Sequence, residues 1–117
     1  MRYVGPGTNI WSNVHIADVV DLYLRVLEQK PRGAFYFVAS GEASFKDMAN
    51  AIARALKLGE PQGWSLEEAI GEWGYEHANY ALGSNSRVRG DKAKKELGWT
   101  PAHTSVLDWI AQDLERV

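Results

Sequence analysis

Ala34-Phe35-Tyr36-Phe37-Val38 is a run of apolar and aromatic residues bracketed by Gly33 on one side and Ser40-Gly41 on the other. A stretch this short, closed by turn residues at both ends, reads as a strand buried on both faces and lying inside a sheet. It decides the fold class, because helical periodicity dominates the rest of the chain and this run alone makes an α/β reading necessary. The possible strand partners are Tyr3-Val4, Asn13 to Ile16 and the residues near Trp64. A central-type strand with so few partners implies an incomplete sheet.

Upstream, from Asn13 to Gln29, the residues Ile16, Val19, Val20, Tyr23 and Leu27 follow the i, i+3, i+4, i+7, i+11 template of a helix face. Leu22, Leu24 and Val26 add apolar residues around the wheel, so more than one face is covered. Asp18 and Asp21 suit the positive end of the helix dipole, and Lys30-Pro31-Arg32-Gly33 stops the helix. Downstream, Ser44 with Asp47 opens a second helix striped by Phe45, Met48, Ala49, Ile52 and Leu56 and ended by Gly59 and Pro61. Ser65 with Glu68 opens a shorter one carrying Leu66, Ala69, Ile70 and Trp73, closed by Gly74. Tyr75 to Arg89 has neither periodicity and reads as a long irregular connection, a type of segment that is often functional. Asp91 caps a brief basic helix ending at Leu97-Gly98, and Thr104 caps a last helix with Val106, Leu107, Ile110 and Leu114 inward. No repeat or linker divides residues 1–117, which read as a single domain.

Composition excludes several classes of function. The chain has 117 residues, too few for a cofactor domain joined to a substrate domain. Its net charge of −2 supplies no basic field for a nucleic-acid backbone, so no nucleic-acid partner is expected. With no cysteine, disulfides, thiolate metal sites and thiol nucleophiles are absent, which suits a cytoplasmic location. No apolar window is long enough to span a bilayer, so no membrane partner is expected either.

Gly5-Pro6-Gly7 is no dinucleotide fingerprint, because the third glycine of G-x-G-x-x-G would fall on Ile10; it reads as a tight turn. His15, His77 and His103 are widely separated and have no ligand-pair spacing, so no metal is expected, and His15, between Val14 and Ile16, reads as a satisfied core residue or one supporting a site from behind. Nucleophile-elbow, P-loop and zincin signatures do not occur. Glu60, Glu67, Glu68, Glu72 and Glu76 form an acidic stretch, and Arg87, Arg89, Lys92, Lys94 and Lys95 a basic one; both read mainly as solvated faces. Arg87 lies at the end of the irregular connection, where a guanidinium can grip a phosphate or carboxylate with two bonds. Trp73 and Trp109, on helices, read as packing residues, whereas Trp11 and Trp64, in turns, are better placed for contact with a ligand.

Four pieces occur in order: Tyr3-Val4-Gly5-Pro6-Gly7, Asn13-Val14-His15-Ile16-Ala17-Asp18-Val19-Val20, Phe35-Tyr36-Phe37-Val38, and Lys92-Ala93-Lys94-Lys95-Glu96-Leu97-Gly98-Trp99-Thr100-Pro101. Over nearly its whole length the chain resembles the C-terminal, substrate-binding part of an extended short-chain dehydrogenase/reductase, the NAD-dependent epimerase/dehydratase family. The resemblance implies a mostly helical substrate-binding subdomain with a few short strands, a fragment of a Rossmann-type fold without its N-terminal nucleotide-binding half. It implies NAD or NADP in the intact enzyme and hydride transfer at a hydroxyl-bearing or carbonyl carbon of a small-molecule substrate. The family's glycine-rich turn and its Tyr-x-x-x-Lys pair do not occur here, so no catalytic residue is expected and no tight cofactor binding by this chain alone. Leu82-Gly83-Ser84-Asn85-Ser86-Arg87 stands where many nucleotide-sugar members carry Arg-Pro-Gly-Asp.

The residues expected to contact substrate are Trp11, Asn13, Tyr80, Asn85 and Arg87, all in or beside connections facing the missing half. The rival expectation is a free-standing, non-catalytic interaction module that docks a partner along a sheet edge or apolar face. On the fragment reading, the first helix and the aromatic strand expose apolar surface and drive self-association as a homodimer or larger species.

Overall fold

The computed structural model describes residues 1–114. Four short strands and five α-helices follow in the order β1 (Arg2–Val4), β2 (Ile10–Asn13), α1 (Ile16–Gln29), β3 (Gly41–Ser44), α2 (Phe45–Ala55), β4 (Gln62–Trp64), α3 (Leu66–Trp73), α4 (Asp91–Leu97) and α5 (Val106–Asp113). The chain is therefore α/β, about half helical, with few strands. β1 pairs in parallel with β4, and β2 pairs antiparallel with β3, Ile10 opposite Ser44 and Asn13 opposite Gly41. Gly5 and Gly7 turn the chain between β1 and β2 at φ values of 59° and 67°, a region that favours glycine.

Local chemistry sets most helix starts. Ser44 accepts from the Asp47 N–H at 3.1 Å, and Ser65 with Glu68 completes the reciprocal capping box at the head of α3. Two starts lie one residue away from the sequence expectation. α5 is capped by Ser105, whose hydroxyl accepts from the Asp108 N–H at 3.1 Å, rather than by Thr104. Asp91 is the first residue of α4, preceded by Gly90 at the cap position, so its carboxylate supports the helix dipole instead.

Two larger expectations are corrected. Residues 34–38 form no strand: β1 pairs with β4 and β2 with β3, and neither sheet takes up the aromatic run. Nor is the run buried on both faces. Tyr36 and Val38 pack inward, whereas Phe35 is 69% exposed and Phe37 52%. The connection from 75 to 89 is also not wholly irregular, since His77–Leu82 form a π-helical turn with Ala78 buried beneath it.

Two hydrophobic clusters hold the molecule. Leu22, Ala93, Leu97 and the fully buried Trp99 form one, with Val14, Val26, Tyr36 and Val38 around it. Val4, Ala69 and Ala78 form the other, with Trp64, Ile70 and Leu82. α2 lies across α5 with Ala49, Ala51 and Ala53 buried. Beside the first cluster, Asp18 is buried among donors. Its carboxylate accepts from the Ala102 N–H and the His103 N–H, each at 2.9 Å, and meets His103 Nδ1 at 3.2 Å, while its carbonyl accepts from Trp99 Nε1 at 2.9 Å. Burial alone would raise its pKa, but these donors outweigh burial and hold the carboxyl below its ordinary value.

The molecule is thin, 47 × 31 × 19 Å, and its radius of gyration of 16.7 Å exceeds the roughly 13 Å of a compact chain this long. Its accessible surface is 7966 Å², against about 6,400 Å² for a globular monomer of its mass.

Candidate functional site

β2 is the element on which the expected site residues converge. Besides pairing with β3, it takes the segment 84–88 along its other edge: the Ser86 N–H donates to the Ile10 carbonyl at 3.0 Å and the Ser12 N–H to the Ser86 carbonyl at 2.8 Å. Side chains fasten the same seam. The Asn9 amide donates to the carbonyls of Leu82 and Ser84, and Ser12 Oγ both donates to the Val88 carbonyl and accepts from the Val88 N–H.

Trp11, Asn85 and Arg87 come together here, with their polar atoms engaged by the fold. Trp11 Nε1 donates to the Ser84 carbonyl at 3.1 Å, and its ring meets Phe45 edge-on at 5.3 Å. Asn85 Oδ1 accepts from the Ile10 N–H at 2.7 Å. Arg87 makes the bidentate grip expected of it, but on the chain's own Glu42, at 3.0 and 2.6 Å. The Arg87 guanidinium holds the Glu42 carboxyl below its usual value, and Glu42 in turn raises the pKa of Arg87. Asn13 closes β2 opposite Gly41, and its Nδ2 is buried without an acceptor. Tyr80 stands apart on the π-helical turn, 65% exposed and edge-on to Tyr75 at 5.8 Å.

Asn9, Ser12 and Glu42 complete this seam, and no motif marks them in the sequence. Nor does sequence reveal that His15 and His103 meet, their rings stacked with centroids 4.0 Å apart. Trp73 and Trp64 form a tilted pair at 4.9 Å, with Arg2 over the Trp64 ring. Among the described residues no three His, Asp or Glu side chains gather as a metal ion would require, and no helix is long and apolar enough to cross a membrane.

The second prominent surface is apolar. Along the outer side of α1, Ile16, Val20, Tyr23, Leu24 and Leu27 are each more than half exposed, Ile16 by 71%. Phe35 and Phe37 add an edge-on pair at 5.1 Å. Lys92 Nζ donates to the Phe35 carbonyl at 3.1 Å, so a side chain engages that carbonyl where a strand would be expected to.

No family model matches the chain. An uncharacterized protein of Saccharomyces cerevisiae is 30% identical over 109 residues, covering 92% of this chain and 36% of that protein. One of Schizosaccharomyces pombe is 28% identical over 112 residues, covering 95% and 37%. The oxidase ucsJ of an Acremonium species is 29% identical over 118 residues, covering 84% and 34%. The chain thus spans a little over a third of the length of these curated relatives. A solved structure of a functionally unknown conserved protein from Silicibacter pomeroyi superposes with a TM-score of 0.74 at 22% identity, covering 98% of this chain and 42% of that one, which makes the fold a shared one.

Proposed function

We propose that this chain is the substrate-recognition portion of an NAD(P)-dependent epimerase, dehydratase or reductase of the extended short-chain type, and that its outer α1 side and residues 35–38 dock against a nucleotide-binding portion. The observation that carries this reading is an amphipathic helix with its apolar side outward, next to an aromatic segment without strand partners. The surface excess over a globular monomer, about 1,600 Å², exceeds the roughly 800 Å² that one partner buries in a standard interface. Relatives nearly three times as long as the matched region have chain enough to supply that cover. One of them is described as an oxidase, in keeping with redox chemistry in a longer protein.

The chain's own residues do not fit a dinucleotide. The Gly5-Pro6-Gly7 turn leads into β2 rather than a helix N-terminus, so no amide cradle faces a pyrophosphate there. Recognition falls instead to the rim of the β2 seam, where Trp11, Asn13, Asn85 and the Glu42-paired Arg87 frame a surface, and to the exposed Tyr80.

Two measurements test the reading. Calorimetric titration of NADH or NADPH into the chain should give no stoichiometric binding at micromolar concentration, and such binding would overturn it. Light scattering at micromolar concentration should show a dimer or larger species, abolished by Tyr23→Lys with Leu27→Lys. A stable monomer that binds no hydrophobic dye would instead favour a free-standing interaction module that closes its own core.

A further inference from the structure

A cleft of about 280 Å³ opens where α1 and α5 begin, and it is lined by Asn13, Val14, His15, Ile16, His103, Ser105, Val106 and Trp109. Each imidazole in it has one nitrogen committed to the fold. His15 Nδ1 accepts from the Ala17 N–H at 3.2 Å, which places its ring proton on Nε2 when the ring is neutral. His103 Nδ1 faces the ionised Asp18 and carries the proton there, leaving its Nε2 as a lone pair that a second proton would convert to a donor. Among the described residues neither Nε2 has a partner. Asn13 contributes an amide nitrogen that is buried without an acceptor, and asparagine χ2 turns easily. Two helix N-termini, those of α1 and α5, add positive potential at the same place. The remaining wall is apolar: Val14, Ile16, Val106 and the Trp109 indole.

Donors, an indole and aliphatic groups share one small cleft, with the His15 and Trp109 rings 6.4 Å apart, which suits a ligand carrying an anionic group on an apolar body. We infer that this cleft binds a small organic carboxylate, its body against Trp109 and its oxygens between the Nε2 edges of His15 and His103. The anion is met by the doubly protonated form of His103, in which Nε2 donates, so affinity falls as pH rises through the imidazole range. The charged groups around His103 are Asp18 on α1, the stacked His15, and Asp108 and Asp113 on α5. The last two line a separate cleft with His103, away from the anion's position. The cleft shares Asn13 and Ile16 with the surfaces proposed above for recognition and docking, but titration of this chain alone reads it separately from the dehydrogenase role.

Benzoate is the probe, and benzyl alcohol its uncharged counterpart. Ring-proton NMR of the whole chain should show saturable shifts of His15, His103 and Trp109 with benzoate at pH 6, at a dissociation constant in about the millimolar range. Affinity should weaken about tenfold or more by pH 8, and benzyl alcohol should bind at least about tenfold more weakly. Calorimetry at pH 7.5, above the ordinary imidazole range, in two buffers of different ionisation enthalpy should report net proton uptake on binding. His103→Gln should remove both the binding and the proton uptake; if that variant does not fold, the wild-type pH dependence and proton count decide alone. Absence of saturable shifts up to about 20 mM benzoate, equal binding of benzyl alcohol, or pH-independent affinity would each overturn the assignment.

Discussion

The inner side of α1 presents Asp18, Leu22 and Val26; the outer side presents Ile16, Val20, Tyr23, Leu24 and Leu27. By apolar content the outer side should be the buried one, yet Asp18 is 5% exposed and Ile16 71%. The inner side is buried because it is complementary to something in the chain. Leu22 fits against Ala93, Leu97 and Trp99, and every oxygen of Asp18 used there meets a donor. The outer side has apolar area and no complementary surface among the described residues. Apolar periodicity therefore marks a surface that calls for cover, and only matching shape and hydrogen bonds say whether this chain provides it.

The largest test of this contrast is Trp99→Ala. It removes the one large side chain fully buried on the inner side and its bond to the Asp18 carbonyl, and should cost about 3–5 kcal/mol in urea denaturation. Gly90→Ala should cost about 1–3 kcal/mol, because a Cβ there meets the Ala39 carbonyl oxygen, which is backbone and cannot yield, and the Trp99 ring. Asp18→Asn should cost about as much, since one carboxamide cannot accept at both oxygens.

The Asp18 variant also changes the acid limb of stability. A carboxyl held below its ordinary value contributes stability that is complete above that ordinary value, about 3.9, and is lost as pH falls toward the folded value. The wild-type thermal midpoint should therefore drop between about pH 4 and pH 2 by more than that of Asp18→Asn. Parallel acid limbs would show that Asp18 is not held ionised.

On the outer side the effects on stability should nearly vanish. Tyr23→Lys and Leu27→Lys should each leave unfolding of the chain within about 0.5 kcal/mol of wild type while dispersing any assembly. A loss comparable to Trp99→Ala would mean the outer side is already covered. Smallest of all is Arg87→Ala, which touches neither side. Its ion pair with Glu42 is exposed, and Asn9, Trp11, Ser12 and Asn85 still fasten the segment, so the denaturation midpoint should stay within measurement scatter.

Sequence reading recovered features settled within a few residues of chain. Ser44 with Asp47, and Ser65 with Glu68, announce α2 and α3 because their bonds are local. The Gly-containing stop at Gly98 is of the same kind, and Ile110 is buried as its place in the helical stripe implies. Pairing was less legible. Residues 34–38 have strand composition, but a strand needs a second edge, and Gly41–Ser44, which looks like a helix approach, is what pairs with β2. The seam from 82 to 88 was readable as a loop bearing Asn85 and Arg87, though not as one already occupied by Ile10 and Glu42, because those contacts join distant segments. The His15–His103 stack was invisible for the same reason.

The bonds that fix Asp18 also set an order of events during synthesis. Trp99 lies 81 residues beyond it, and Ala102 and His103 lie 84 and 85 beyond. At 5–20 residues per second a ribosome releases α1 roughly 4–16 s before those partners emerge. For that interval the inner side waits for residues not yet made, while the outer side has no cover among the described residues. A nascent chain whose inner helix side is still open is a natural client for chaperones that hold apolar segments. The last turn before α5 is thus the point at which one side of that helix leaves their reach.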